Sequence, residues 1–162
     1  MNAPFKLALI VGSLVLTAPQ PTFANPNAPS ALWEGTWQLN MAHSKFATPG
    51  KRSETRTYRI NGNKVKLTSI GTDARGKSEK FSYSAAYDGK WYPMVGNPRG
   101  DSIALTLDNP RVSKAKVRRN GVLTATASLE VSADGKHLTL NRKTLNAKKA
   151  PTVEVLAFDK VR

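Results

Sequence analysis

The chain has 162 residues, with 25 lysines and arginines against 11 aspartates and glutamates, and no cysteine. That length suits one domain around one core, and the net charge of +14 excludes an acidic scaffold and directs attention to anionic partners. The missing cysteines exclude a disulfide framework, a thiolate zinc site, a cysteine nucleophile and a lipid-modified N-terminal cysteine.

Residues 1–6 carry one positive charge, Lys6, and residues 7–18 form an apolar run. Pro19 and Pro21 then break any helix, and Thr22-Phe23-Ala24 places small residues three positions and one position before a cleavage point. This is the layout of a secretory signal peptide cut after Ala24. As a helix the run would reach about 18 Å, short of the roughly 30 Å hydrocarbon core. No twin arginine precedes it, so the general secretory route and a periplasmic or secreted bacterial protein are expected. Residues 25–32 read as a Pro-rich, extended leader and residues 33–162 as the folded domain.

From there the apolar residues alternate. Leu123, Ala125, Ala127, Leu129 and Val131 share one face, with Thr124, Thr126, Ser128 and Glu130 between them. Phe81, Tyr83, Ala85 and Tyr87 do the same, as do Ile103, Leu105 and Leu107, and then Leu138, Leu140 and Arg142. Period two predicts half-buried strands, here over 35–39, 53–60, 64–70, 78–87, 90–93, 102–107, 111–119, 122–131, 137–144 and 152–159. No long helix competes, though residues 40–45 could form one turn. Asn61-Gly62, Asp88-Gly89, Asn120-Gly121 and Asp134-Gly135 supply hairpin turns between the runs. A meander of this kind has two exposed edges. Closing it into an up-and-down barrel removes both, whereas an open two-sheet sandwich is the alternative. The predicted fold is an all-β antiparallel barrel of about eight to ten strands.

A resemblance enters at the first strand. Gly35-Thr36-Trp37 resembles the Gly-x-Trp that opens the first strand of lipocalins and intracellular fatty-acid-binding proteins. Ser44-Lys45-Phe46, residues 53–58, residues 87–93, Gly96-Asn97-Pro98 and residues 132–136 resemble, in order, a family of bacterial secreted lipocalin-like proteins. The resemblance implies a barrel with a ligand-sized interior, and a structural role for Gly35 and Trp37 in closing one end. It also implies an arginine packed across Trp37, for which Arg142 is the candidate. Two departures stand out. Residues 40–52 are too short for the two-helix lid of the fatty-acid-binding proteins, and Arg56-Thr57-Tyr58 matches their Arg-x-Tyr carboxylate motif on a different strand, so that site is not carried over.

Small inward residues (Ala85, Ala115, Ala125 and Ala127) suggest a cavity, the alternative being a flattened barrel packed shut. Tyr58, Tyr83 and Tyr87 are the candidate ligand-facing aromatics, each offering an apolar body and a hydroxyl. Arg142 joins them as a candidate for recognising an anion. Lys114, Lys116 and Arg118 occupy one strand face, either a solvated surface or a stripe for docking on a polyanion, and Lys64 and Lys66 form a smaller pair. Nothing in the stripe has the aromatic interleaving of a nucleic-acid reader. His43 and His137 lack metal-ligand spacing, no Gly-x-Ser-x-Gly is present, and most acids sit in turns. Arg99-Gly100-Asp101 is read as a loop rather than an adhesion signal. The expectation is a monomeric binder of a small apolar or amphipathic, possibly anionic molecule, with no metal or cofactor called for. Docking on an anionic envelope glycolipid or polymer is the alternative, and a cofactor-free enzyme the third reading.

Overall fold

A computed structural model describes residues 28–47, 50–146 and 149–161. The expected signal segment and residues 25–27 of the leader lie outside the described residues.

Alternation over short runs separated by turn residues yields ten strands: β1 (Gly35–Lys45), β2 (Ser53–Asn61), β3 (Lys64–Thr72), β4 (Ser78–Ala86), β5 (Trp91–Val95), β6 (Ser102–Asn109), β7 (Val112–Arg119), β8 (Val122–Val131), β9 (His137–Asn146) and β10 (Lys149–Lys160). Every strand pairs antiparallel with its sequence neighbours, and β1 pairs with β10 to close the barrel. Closure satisfies both edges, so the chain forms the barrel rather than the sandwich. Among the described residues the only helix is one 3₁₀ turn, Ala31–Trp33. No two-helix lid is present between β1 and β2 in the residues described there. Asn120 is the one described non-glycine residue with a positive φ, 49°, as the Asn-Gly hairpin between β7 and β8 requires.

Residues 40–45 take the strand rather than the helical alternative. They continue β1 instead of turning helically, but as a bulge: Asn40 pairs with Ala157 and Lys45 with Val155, so the two strands slip in register between them. Side chains take up the slack. Asn40 Oδ1 accepts from the His43 N–H at 3.1 Å, the Ser44 hydroxyl donates to the Asn40 carbonyl at 2.6 Å, and the Ala157 N–H donates to that hydroxyl at 3.0 Å. Such local side-chain bonds compete with regular ladder pairing.

One end of the barrel is plugged. Ser30 caps the 3₁₀ turn through its side chain, and its N–H donates to the Pro110 carbonyl at 2.7 Å. The last residues of the expected leader therefore pack on the barrel. Trp33 and Trp37 are fully buried. The Trp33 indole donates to Pro110 at 2.9 Å, the Trp37 indole donates to the Trp33 carbonyl at 3.0 Å, and the Trp33 and Tyr58 rings lie 6.0 Å apart. Gly35 has φ 127°, a conformation closed to other residues, which lets the chain swing from the plug into β1. Because the strands alternate in direction, the ends of β1, β3, β5, β7 and β9 gather at the opposite end. That end is the mouth.

Candidate functional site

Inside the barrel, Ile103 and Leu105 of β6, Ala115 of β7, Ala125 and Leu129 of β8 and Leu140 of β9 are buried. The alanines leave space that larger side chains would fill. A cavity of about 60 Å³ results, walled by Ile103, Ala115, Ala125, Leu129 and Leu140 together with Leu67, Phe81, Tyr83 and Met94. Ala115, Ala125 and Ala127 line it, whereas Ala85 is packed away on β4. Above it the mouth opens to about 360 Å³ among Phe46, Lys51, Arg75, Arg99, Arg142 and Glu154. Lys51, Arg99 and Arg142 line both spaces.

Between cavity and mouth lies a buried charge network. On β2, Glu54 and Arg56 point inward, and Arg56 Nε donates to Glu54 Oε1 at 2.7 Å. The Ser69 hydroxyl from β3 donates to the same oxygen at 2.7 Å. Lys51 reaches Glu79 at 2.7 Å and stands 3.4 Å from Glu54 Oε2. That second approach supplies charge attraction without hydrogen-bond geometry, so Oε2 is buried without a hydrogen-bond partner. Burial works against a charged Glu54, but Arg56, Lys51 and the Ser69 hydroxyl outweigh it and hold its pKa at about 2. The Arg56 guanidinium lies 4.8 Å from the Phe158 ring centre and 5.9 Å from that of Phe81, so its faces meet aromatic rings while its edge meets Glu54. On the far wall Arg142 Nε donates to Glu154 at 3.0 Å, joining β9 to β10.

The expected ligand-facing residues divide by position. Tyr83 and Arg142 line the cavity. Tyr58 is buried beside Trp33 with its hydroxyl unpartnered, and Tyr87 is half-buried; neither borders the cavity. Burial raises all three phenols, so each stays protonated at neutral pH. The assignment of Arg142 to Trp37 is corrected: Lys160 Nζ sits 5.0 Å from the Trp37 ring centre and donates to the Leu32 carbonyl at 2.9 Å. β9 leaves the plugged end at His137, and Arg142 lies about 16 Å further along it, near the mouth.

On the outside, Lys114 pairs with Asp108 at 2.7 Å, Lys116 is exposed, and the Arg118 guanidinium stacks 4.3 Å from the Trp91 ring centre. Two of the three expected docking residues thus have partners within the chain. His137 and Asp159 meet across β9 and β10 at 2.9 Å, a pairing invisible in the linear sequence. No metal-ligating cluster occurs among the described residues.

What sequence reasoning missed is the inward charge. Glu54, Arg56 and Tyr58 alternate with Ser53, Thr55 and Thr57, the same period two that marked apolar faces elsewhere. Charged residues sharing a strand parity with a core tyrosine were the available signal.

Fold and interior define a closed antiparallel barrel of the lipocalin and fatty-acid-binding type. Zebrafish ileal bile acid-binding protein, solved in complex with cholic acid, is similar in structure: TM-score 0.54 at 13% identity, over 81% of this chain and 100% of that one. Lobster apocrustacyanin A1 superposes with a TM-score of 0.38 at 15% identity, over 79% of this chain and 60% of that one. At such identities the likeness is one of fold alone. No family model matches the chain, and no curated protein matches it in sequence.

Proposed function

We propose that the protein binds one small amphipathic molecule, its apolar part in the barrel and its polar part at the mouth, and that it does so outside the cytoplasm after removal of residues 1–24. The observation that carries this reading is the continuity of an apolar cavity with a polar mouth through Lys51, Arg99 and Arg142. Ligand sites usually enclose about 300–1,000 Å³. The cavity of about 60 Å³ seats only a few atoms, so the ligand extends into the mouth. Tyr83 borders the apolar part, and its protonated hydroxyl is available as a donor there.

Filling the cavity tests this. Ala125→Leu adds three carbons where the wall is 2% exposed. Phenylnaphthylamine, an uncharged apolar dye that brightens on leaving water, is expected to bind the parent protein and to lose most of its affinity for the variant, with circular dichroism unchanged. Equal dye binding by both proteins would refute the interior site.

A further inference from the structure

Arg99-Gly100-Asp101, in the β5–β6 connection, is tethered to the neighbouring strands, with Gly100 buried, Arg99 half-buried and Asp101 exposed. Asp101 accepts from the Asn120 N–H at 2.7 Å and from the Ser102 hydroxyl at 2.8 Å. Gly100 lies so close to β7 that a Cβ there would stand 2.4 Å from Val117 Cγ1 and 2.5 Å from the Arg118 carbonyl oxygen. The Arg99 N–H donates to Asn97 Oδ1 at 2.8 Å, and its carbonyl accepts from the Thr124 hydroxyl at 2.7 Å. Arg119 ties down the carbonyls of Asn97 and Pro98 at 3.2 and 2.6 Å. A short connection is thereby braced from two strands, and its product is one side chain, Arg99, held where cavity and mouth meet.

That guanidinium is unmatched. The carboxylates around it are engaged: Glu54 by Arg56 and Ser69, Glu79 by Lys51, Glu154 by Arg142, and Asp73 by the N–H groups of Arg75 and Lys77. Among the described residues Arg99 has no ion-pair partner, and its guanidinium makes no hydrogen bond. Burial, and then the charge of Arg142, act against its ionised form. An arginine keeps its proton, so Arg99 stays charged at this half-buried junction, favoured only at a distance by Glu154, Glu54 and Glu79 and paired with none of them.

We propose that Arg99 recognises a singly charged oxyanion, a carboxylate or sulfonate, on a ligand whose apolar body occupies the cavity. The proposal rests on the ligand-binding reading above and adds the chemistry of the head group. One unmatched positive charge calls for one negative charge. A dianion would set its second charge against Glu79 and Glu154. The planar guanidinium also suits a two-oxygen head, which it can meet with parallel N–H donors.

Two dyes that share their rings separate the charge from the rest. Anilinonaphthalene sulfonate carries the anion, and phenylnaphthylamine lacks it. Arg99→Gln is expected to weaken sulfonate binding about tenfold while leaving the uncharged dye within about twofold, and Arg99→Lys should restore part of the loss. Arg59→Gln makes the same change in net charge at an exposed residue near the plugged end and should alter neither dye. Equal losses for both dyes in Arg99→Gln, no loss for either, or the same sulfonate loss in Arg59→Gln would overturn the assignment while leaving the cavity reading intact. Failure of both dyes to bind the parent protein would overturn both readings together.

Discussion

Glu54 shows how much a barrel interior can demand of one side chain. It is 1% exposed and ionised, and it compensates Arg56, itself 4% exposed, from the adjacent inward position of the same strand. The linkage follows from its depressed pKa, about 2 against 4.5 for the free group. Its contribution to stability is complete above about pH 4.5 and is lost as the pH falls toward 2, a loss of a few kcal/mol. Glu54→Gln is expected to cost about 3–5 kcal/mol at neutral pH, since Arg56 is left buried without its counter-charge. It should also flatten the acid limb, so that urea midpoints of parent and variant converge between pH 4.5 and 2. Parallel curves over that range would show that Glu54 does not titrate with unfolding.

At the level of strands, Arg142 and Glu154 link β9 to β10 in the last hairpin before closure. Breaking a buried pair by removing one partner leaves the other charge stranded, whereas replacing both with apolar residues can be neutral or stabilising. Arg142→Met alone should destabilise by about 3 kcal/mol, and Arg142→Met with Glu154→Leu should recover most of that in a double-mutant cycle. An additive cycle would mean that the two side chains do not depend on one another. These strands also show what was legible beforehand. β8 could be read from Leu123, Ala125, Ala127, Leu129 and Val131 because alternation is a local property of the chain. The pairing of Arg142 with Glu154, or of His137 with Asp159, depends on register between strands, which no local pattern encodes. Lys160 rather than Arg142 reaches Trp37 for the same reason: distance from the plugged end decides the matter, not residue type.

For the molecule as a whole, the candidate site is convergent. Lys51, Glu54, Arg99, Arg142 and Glu154 come from the β1–β2 connection, β2, the β5–β6 connection, β9 and β10. Reading the strands did not bring them together, since only closure does. The total charge of +14 likewise concealed a local arrangement. Within the barrel the cations Lys51, Arg56 and Arg142 are matched by carboxylates, so the charge that counts for recognition is the single excess at Arg99.

The seam between β1 and β10 sets an order on the life of the chain. Every other strand pair is a hairpin that forms from neighbouring residues, but Trp37 waits for Lys160. During synthesis no closed barrel exists until the final strand has left the ribosome. Until then β1 and the latest strand each present an open edge capable of capturing another chain. A protein ending at Asn146 should therefore sediment as oligomers rather than as a monomer, whereas a circular permutant that joins the two termini and opens the β7–β8 turn at Asn120-Gly121 should stay monomeric. A monodisperse truncation would show that the seam does not guard against self-association.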